Sequence, residues 1–360
     1  MRMQGFSDFY TSLEHCQNCS GEMAAAKIPK NWFYVCSNDD KLLFIEWNNI
    51  ADLSPSQAPS VYNSRVSSVL PTPSTIPRPS NVYFSNGIDS EPTYGPTRKL
   101  DFELEMGYFL SKPVPWGERL EIQDAKEHIF GFVLLNDWSA RDHQLFEMRP
   151  LVRTDSSSPL PCLCIQTRTN RTLTNNAQGP FHSKGFGTSI SNWIVPLEAL
   201  EPFACSPNTP QTPPPFPHLT WPNPSTGALD IKLKITLIRA GQSHPISSSN
   251  LKYMYWTPYQ QLTHHAASGC GMQTGDLIGT GTISGSRTDG EGRKVELGCL
   301  YEVEMTGTKV MPEGVQGSEY QVGYLEDGDE VVLEGWCEDE GGRKVLGFGE
   351  CRGRVAPAKA

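Results

Sequence analysis

The pattern of apolar and polar positions changes period several times along the chain, and each change marks an element. Leu229–Arg239, LDIKLKITLIR, alternates apolar and polar residues and predicts a strand. Leu100–Leu110, LDFELEMGYFL, alternates as well, with Asp101, Glu103 and Glu105 on one face and Phe102, Leu104 and Met106 on the other. Glu330–Trp336 and Val345–Cys351 carry two more strand patterns, and Gly275–Gly285 reads as a turn and a strand. In Phe130–Gln144, FGFVLLNDWSARDHQ, an apolar run of buried-strand character ends at Leu135 and turns polar at Asn136-Asp137. Helical spacing follows, so that Asp137, Arg141 and Gln144 would share one helix face. Near the N-terminus, Asp8 can cap a helix carrying Phe9, Leu13 and His15, with Asp8 and His15 about two turns apart. Leu251–Ala267 is helical in pattern, and the SGCG at 268–271 can end it. Strands outnumber helices, which predicts a mixed, β-rich α+β fold with a few helices.

Two stretches break this order. Val35–Gln57 has no turn logic at its ends, and Val152–Gln178 is rich in Ser, Thr and Asn. Each starts with Val, whose codons begin GT, and ends with Gln, which CAG encodes. Those are the dinucleotides at which introns start and end. Ala51-Asp52 and Thr174-Asn175 can encode branch-point-like sequences close to each 3′ end. Both stretches are expected to be retained introns translated in frame. The competing reading is a pair of tolerated surface loops, which cost less than their length suggests.

Composition narrows the function. The chain has 360 residues, 38% of them hydrophobic, a net charge of −10 and a pI near 5.3. That length supports a large core. With no Lys/Arg block there is no footprint for nucleic acid. No apolar run approaches the roughly 18 residues of a membrane span, and the N-terminus has no apolar signal core. Ten Cys are scattered without zinc-type pairing, which reads as reduced thiols in a cytoplasmic protein.

Two sets of residues carry candidate chemistry. Asp137 and Arg141 read locally as a common i,i+4 surface pair. The acids at 101, 103 and 105 form either a solvated strand face or, because they repel one another without a cation, a metal site. His264-His265 is read as structural, since neighbours on a helix face different sides and no HExxH is present.

Several motifs in one order resemble the fumarylacetoacetate hydrolase family: SDFYTSLEH at 7–15, LDFELEM at 100–106, NDWSARD at 136–142, KGFGTSIS at 184–191, QQLTHH at 260–265 and GDLIGTGTISG at 275–285. The likeness runs from about Phe6 to Val355, interrupted by the two stretches above. Deleting them would join NWFY to APSVYNSR and EMRPL to GPFHSKGFGT, restoring continuous family motifs. The resemblance implies a β-roll catalytic domain over 1–360, a homodimer, and metal-assisted hydrolysis of a carbon–carbon bond in a β-diketo acid. The implied reaction splits 4-fumarylacetoacetate into fumarate and acetoacetate at the end of tyrosine and phenylalanine breakdown. It also implies an SH3-like N-terminal domain missing here.

Carried over by residue, the resemblance makes Asp8, Glu103, Glu105 and Asp137 ligands of Ca2+, and Lys184 and Thr188, with Asp137, a site for Mg2+. It makes His15 the base and Glu302 the acid that orients it, with Glu296 competing for that place. Arg141, Gln144 and Lys184 become oxyanion donors, and Tyr10, Tyr62, Arg141, Gln144 and Thr282 substrate contacts. Three departures fall on the substrate side: YNSR at 62–65 replaces YHGR, no Arg stands near Ala24, and Met148 takes a tyrosine's place. They leave open an acylpyruvate hydrolase or a decarboxylase, or a catalytically impaired metal-binding relative.

Overall fold

The computed structural model describes residues 3–19, 60–86, 90–148, 180–212, 214–309 and 322–359. The stretches at 35–57 and 152–178 lie outside the described residues. An eight-stranded mixed sheet runs in the order Ser60–Asn63, Phe6–Tyr10, Leu277–Gly279, Leu104–Leu110, Ile129–Asp137, Thr188–Ile190 and Val69–Pro71, with Val195–Pro196 also paired to Ile129–Asp137. A five-stranded sheet runs Gln242–Asn250, Lys232–Arg239, Glu330–Glu338, Lys344–Ala356, Ser74–Pro77. Helices among the described residues are short, the ten-residue Pro258–Ala267 included. The β-rich architecture expected from the periodicity is therefore the one observed.

Alternation explains how the large sheet is used. Leu104, Met106, Tyr108 and Leu110 face the main core, where they meet Phe132, Leu134 and Trp138 and, from the second sheet, Leu233, Ile235, Leu333 and Phe348. The intervening positions face the other way. Phe109 joins Phe6, Val133, Leu135 and Leu277 in a smaller apolar cluster. Period two then puts Glu105 on Phe109's face, Asp137 on that of Val133 and Leu135, and Asp8 on that of Phe6. The acidic face of the 100–110 stretch is buried, not solvated, with Glu103 and Glu105 at 5% and 1% exposure.

Three local expectations are corrected. Asp8 does not cap a helix: it lies in Phe6–Tyr10, which pairs in parallel with Leu277–Gly279, and the helix begins only at Leu13. Asp137 does not share a helix with Arg141 and Gln144; it ends the Ile129–Asp137 strand, and the helix spans Arg141–Glu147. Both acids are captured by strand partners remote in sequence, which no local pattern shows. The helix expected over Leu251–Ala267 begins at Pro258, where Gln260 Oε1 accepts from the Thr257 backbone N–H at 3.0 Å and Pro stands in the first turn.

Candidate active site

Register brings the acids together. Asp8 pairs with Gly279, Gly279 with Gly107, and Glu105 with Leu135, while Thr188 pairs with Asp137. Oxygens of Asp8, Glu105 and Asp137 lie within 4.8 Å of one another, and all three residues are buried. Gly279 keeps this space open, because a Cβ there would collide with Asp8 Oδ1 and approach Glu105 Oε2 to 3.1 Å. Burial raises all three acids: Asp137 to about 8, and Glu105 well above its usual range, with Asp8 and Asp137 adding repulsion. Tyr62 Oη lies 2.9 Å from Asp8 Oδ2 and 3.0 Å from Asp137 Oδ2, so its single proton serves one of them at a time. Asp137 Oδ1 is buried without a hydrogen-bond donor among the described residues. An oxygen-only cluster that repels itself and keeps an oxygen unpaired fits a hard divalent cation.

Glu103 stands beside this group rather than in it. Its Oε1 is 2.7 Å from Arg141 Nη1, and its Oε2 is 2.5 Å from Lys184 Nζ. Burial opposes its charge, but the two cations outweigh that and hold the carboxyl far below its ordinary value. Lys184 Nζ also reaches Asp137 Oδ2 at 2.5 Å. Burial disfavours the ammonium, yet the Asp137 and Glu103 carboxylates keep it firmly protonated. Arg141 is fixed by Asp101, whose Oδ2 accepts from Nε at 2.9 Å, and Arg141 Nη1 donates to Gln144 Oε1 at 3.2 Å. Asp101 also accepts from the backbone of Leu300 and Tyr301 at 2.8 and 3.0 Å. Its part in holding Arg141 was not foreseen; the alternation placed it on the acidic face, but its partner lies beyond any local pattern.

The second half of the site comes from two helices, Leu13–Cys19 and Leu300–Thr306. Ser12 Oγ accepts from the His15 backbone at 3.2 Å and so caps the first. His15 Nδ1 lies 3.1 Å from Glu302 Oε2, both fully buried. Glu302 is over-determined: Asn18 Nδ2 donates at 2.7 Å, Ser284 Oγ at 2.8 Å and Gly298 N at 2.7 Å. Burial opposes charge on the imidazole, but Glu302 beside it raises His15 to about 10. Burial likewise opposes charge on Glu302, and His15 with these donors still lowers its carboxyl. Glu296 is elsewhere, held by Tyr253 Oη at 3.1 Å and Arg287 Nε at 3.1 Å. Tyr10 packs edge-on to the His15 ring, centroids 5.2 Å apart. Thr282 is buried, and its hydroxyl has no hydrogen-bond partner among the described residues. His15 adds to the lowering of the Glu103 carboxyl, after Lys184 and Arg141.

Such a site can take a proton at His15, present cationic and amide donors from Arg141, Lys184 and Gln144, and hold a cation on Asp8, Glu105 and Asp137. A family model described as fumarylacetoacetate (FAA) hydrolase C-terminal matches residues 6–356. The chain belongs to the fumarylacetoacetate hydrolase family and is an enzyme of the hydrolase class. It is similar to the fumarylacetoacetase of Dictyostelium discoideum, 38% identical over 358 residues that cover 99% of this chain and 70% of that one. That of Bos taurus is 39% identical over 359 residues, with 98% and 70% covered, and that of Homo sapiens 38% over 356, again with 98% and 70% covered. In fold it is similar to the solved structure of Cg1458 with inhibitor, at a TM-score of 0.52 and 15% identity, covering 99% of this chain and 78% of that one. No helix among the described residues is long and apolar enough to cross a membrane.

Proposed function

We propose that this chain hydrolyses 4-fumarylacetoacetate to fumarate and acetoacetate, the last step of tyrosine and phenylalanine breakdown, as a cytoplasmic homodimer. The observation that carries the reading is the buried His15–Glu302 pair, 3.1 Å apart, beside Arg141, Lys184 and the carboxylates. The likeness to fumarylacetoacetases supports the substrate class. His15, oriented by Glu302, takes a proton from water, and the oxygen bonds to the ketone carbon next to the carbon–carbon double bond, which becomes a carboxyl carbon of fumarate. Only the neutral ring can do this, so activity climbs with pH. Arg141, Gln144 and Lys184 donate to the alkoxide that forms. When the carbonyl re-forms, the carbon–carbon bond breaks and its electron pair leaves on acetoacetate as an enolate, which recovers a proton from His15. Asp8, Glu105 and Asp137, with Glu103 and Thr188 adjoining, would hold a Ca2+ or Mg2+, which would supply Lewis-acid stabilisation of developing negative charge. Thr282, Tyr10 and Tyr62 border the substrate space.

The expected products from the purified full chain are fumarate and acetoacetate in equal amounts. Turnover of an acylpyruvate instead, or release of carbon dioxide, would overturn the substrate while keeping or losing the reaction class respectively. The proposal extends to 35–57 and 152–178 as retained introns, since none of the site residues named above falls in either. Sequencing the mature transcript tests this: their presence in the spliced message of a fully active protein contradicts it.

A further inference from the structure

The His15 end of the site carries two thiols for which hydrolysis has no use. Cys19 follows His15 by four residues on the Leu13–Cys19 helix, so the two side chains share a face. Its Sγ lies 3.7 Å from each ring nitrogen of His15. Cys299 arrives from the opposite side, at the N-cap of the Leu300–Thr306 helix, with Sγ 3.6 Å from Glu302 Oε2. One ligand atom from each of His15, Cys19 and Cys299 lies within 4.8 Å of the others. Both cysteines are free thiols, Cys299 buried and Cys19 half-buried. Around a tetrahedral cation with metal–sulfur bonds of about 2.3 Å and metal–nitrogen bonds of about 2.0–2.1 Å, donor atoms sit roughly 3.5–3.8 Å apart. The sulfur–nitrogen spacing here matches. Glu302 Oε2, 3.1 Å from His15 Nδ1 and already accepting from Ser284 and Gly298, orients the ring.

The two clusters differ in kind. Asp8, Glu105 and Asp137 offer only oxygen and suit a hard cation. Two sulfurs and an imidazole select a soft one.

We propose that His15, Cys19 and Cys299 form a second, thiophilic metal site, for Zn2+ or a cation of like softness, whose occupation takes the His15 imidazole as a ligand and switches hydrolysis off. Each thiol gives up its proton on binding, as does the His15 imidazolium, and no electron moves, so no oxidant is needed. The inhibitory half rests on His15 being the base, as proposed above; the binding half does not.

The test uses the full chain in excess Mg2+, with Co2+ as the probe and thiolate-to-cobalt charge-transfer absorbance as the readout. The expected result is one Co2+ bound per chain with that band, displaced by Zn2+, and hydrolysis lost in step with Zn2+ occupancy. Cys19→Ser and Cys299→Ser each keep hydrolysis, lose its sensitivity to Zn2+, and weaken Co2+ binding by more than the roughly 10–100-fold that loss of an outer-shell partner costs. Cys19 is half-buried, so Cys19→Ser decides the matter should Cys299→Ser fail to fold. No band at saturating Co2+, or a Cys19→Ser variant that binds Co2+ as tightly as wild type with an undiminished band, overturns the site. Zn2+ bound with hydrolysis unaffected overturns the switch and the assignment of His15 as base. A wild-type chain that turns over no 4-fumarylacetoacetate overturns the proposed function, while the cobalt band still decides the site.

Discussion

Asp8, Glu105 and Asp137 project from three strands of one sheet, whereas His15 and Glu302 project from two seven-residue helices. The strand-borne acids are placed by register alone and are left short of positive charge, with Lys184 turned to Glu103 and Asp137. The helix-borne pair balances itself: His15 is raised, Glu302 is lowered, and three further donors meet the carboxylate. A preformed anionic cradle needs a cation from outside. A self-neutralised pair needs none and is free to handle protons. The comparison teaches that metal dependence and acid–base chemistry can be broken separately.

The largest effect is expected from His15→Ala. Loss of a general base removes roughly 10²–10⁴-fold in rate. The rise in Tm on adding Ca2+ or Mg2+ should match wild type, because the strand-borne half is untouched. A variant that loses the cation response would show that the halves cannot be separated. Arg141→Ala comes next, since Arg141 serves both activity and packing. Removing an oxyanion donor costs about 2.7–4 kcal/mol of barrier. Leaving Asp101 without its buried cation, and Glu103 with Lys184 alone, costs about 3–5 kcal/mol of stability, read by urea denaturation. A loss of rate with unchanged stability would mean that these carboxylates find other partners.

Gly279→Ala probes the cradle alone. The added methyl meets Asp8 and Glu105, so about 1–3 kcal/mol of stability should be lost and the cation response weakened, with the acid–base half intact. An unchanged cation affinity would refute the role of Gly279 in shaping the site. Glu302→Gln gives the smallest and most specific change. Against burial, the Glu302 carboxylate holds His15 at about 10; Cys19, Cys299 and Tyr10 also face the ring, each uncharged because its own proton is held more tightly than usual. Without the carboxylate charge the imidazole loses its proton at lower pH. The acidic limb of kcat/KM, measured at fixed cation concentration, should therefore move to lower pH. A limb that stays in place would separate His15 from catalysis.

Much of the fold was legible, because period-two alternation survives in a half-buried strand. Lys232–Arg239 and Glu330–Glu338 fall where LDIKLKITLIR and its later counterpart predict. The site was legible mainly through motif resemblance. Local capping logic sent Asp8 and Asp137 to helices, because a lone Asp beside an apolar run looks the same whether a distant strand claims it or not. Glu302 and Glu296 are equally plausible acids in sequence; only the donors gathered around Glu302 separate them. Cys19 and Cys299 went unnoticed as a pair because no ligand spacing links cysteines so far apart in the chain.

The most direct test of a cation-dependent hydrolase follows kcat on 4-fumarylacetoacetate and Tm on the same samples of the full chain, first in EDTA and then on adding back Ca2+ or Mg2+. The account predicts that both fall in EDTA and recover together as Asp8, Glu105 and Asp137 refill. Hydrolysis and Tm that are identical in EDTA and in saturating cation would contradict it.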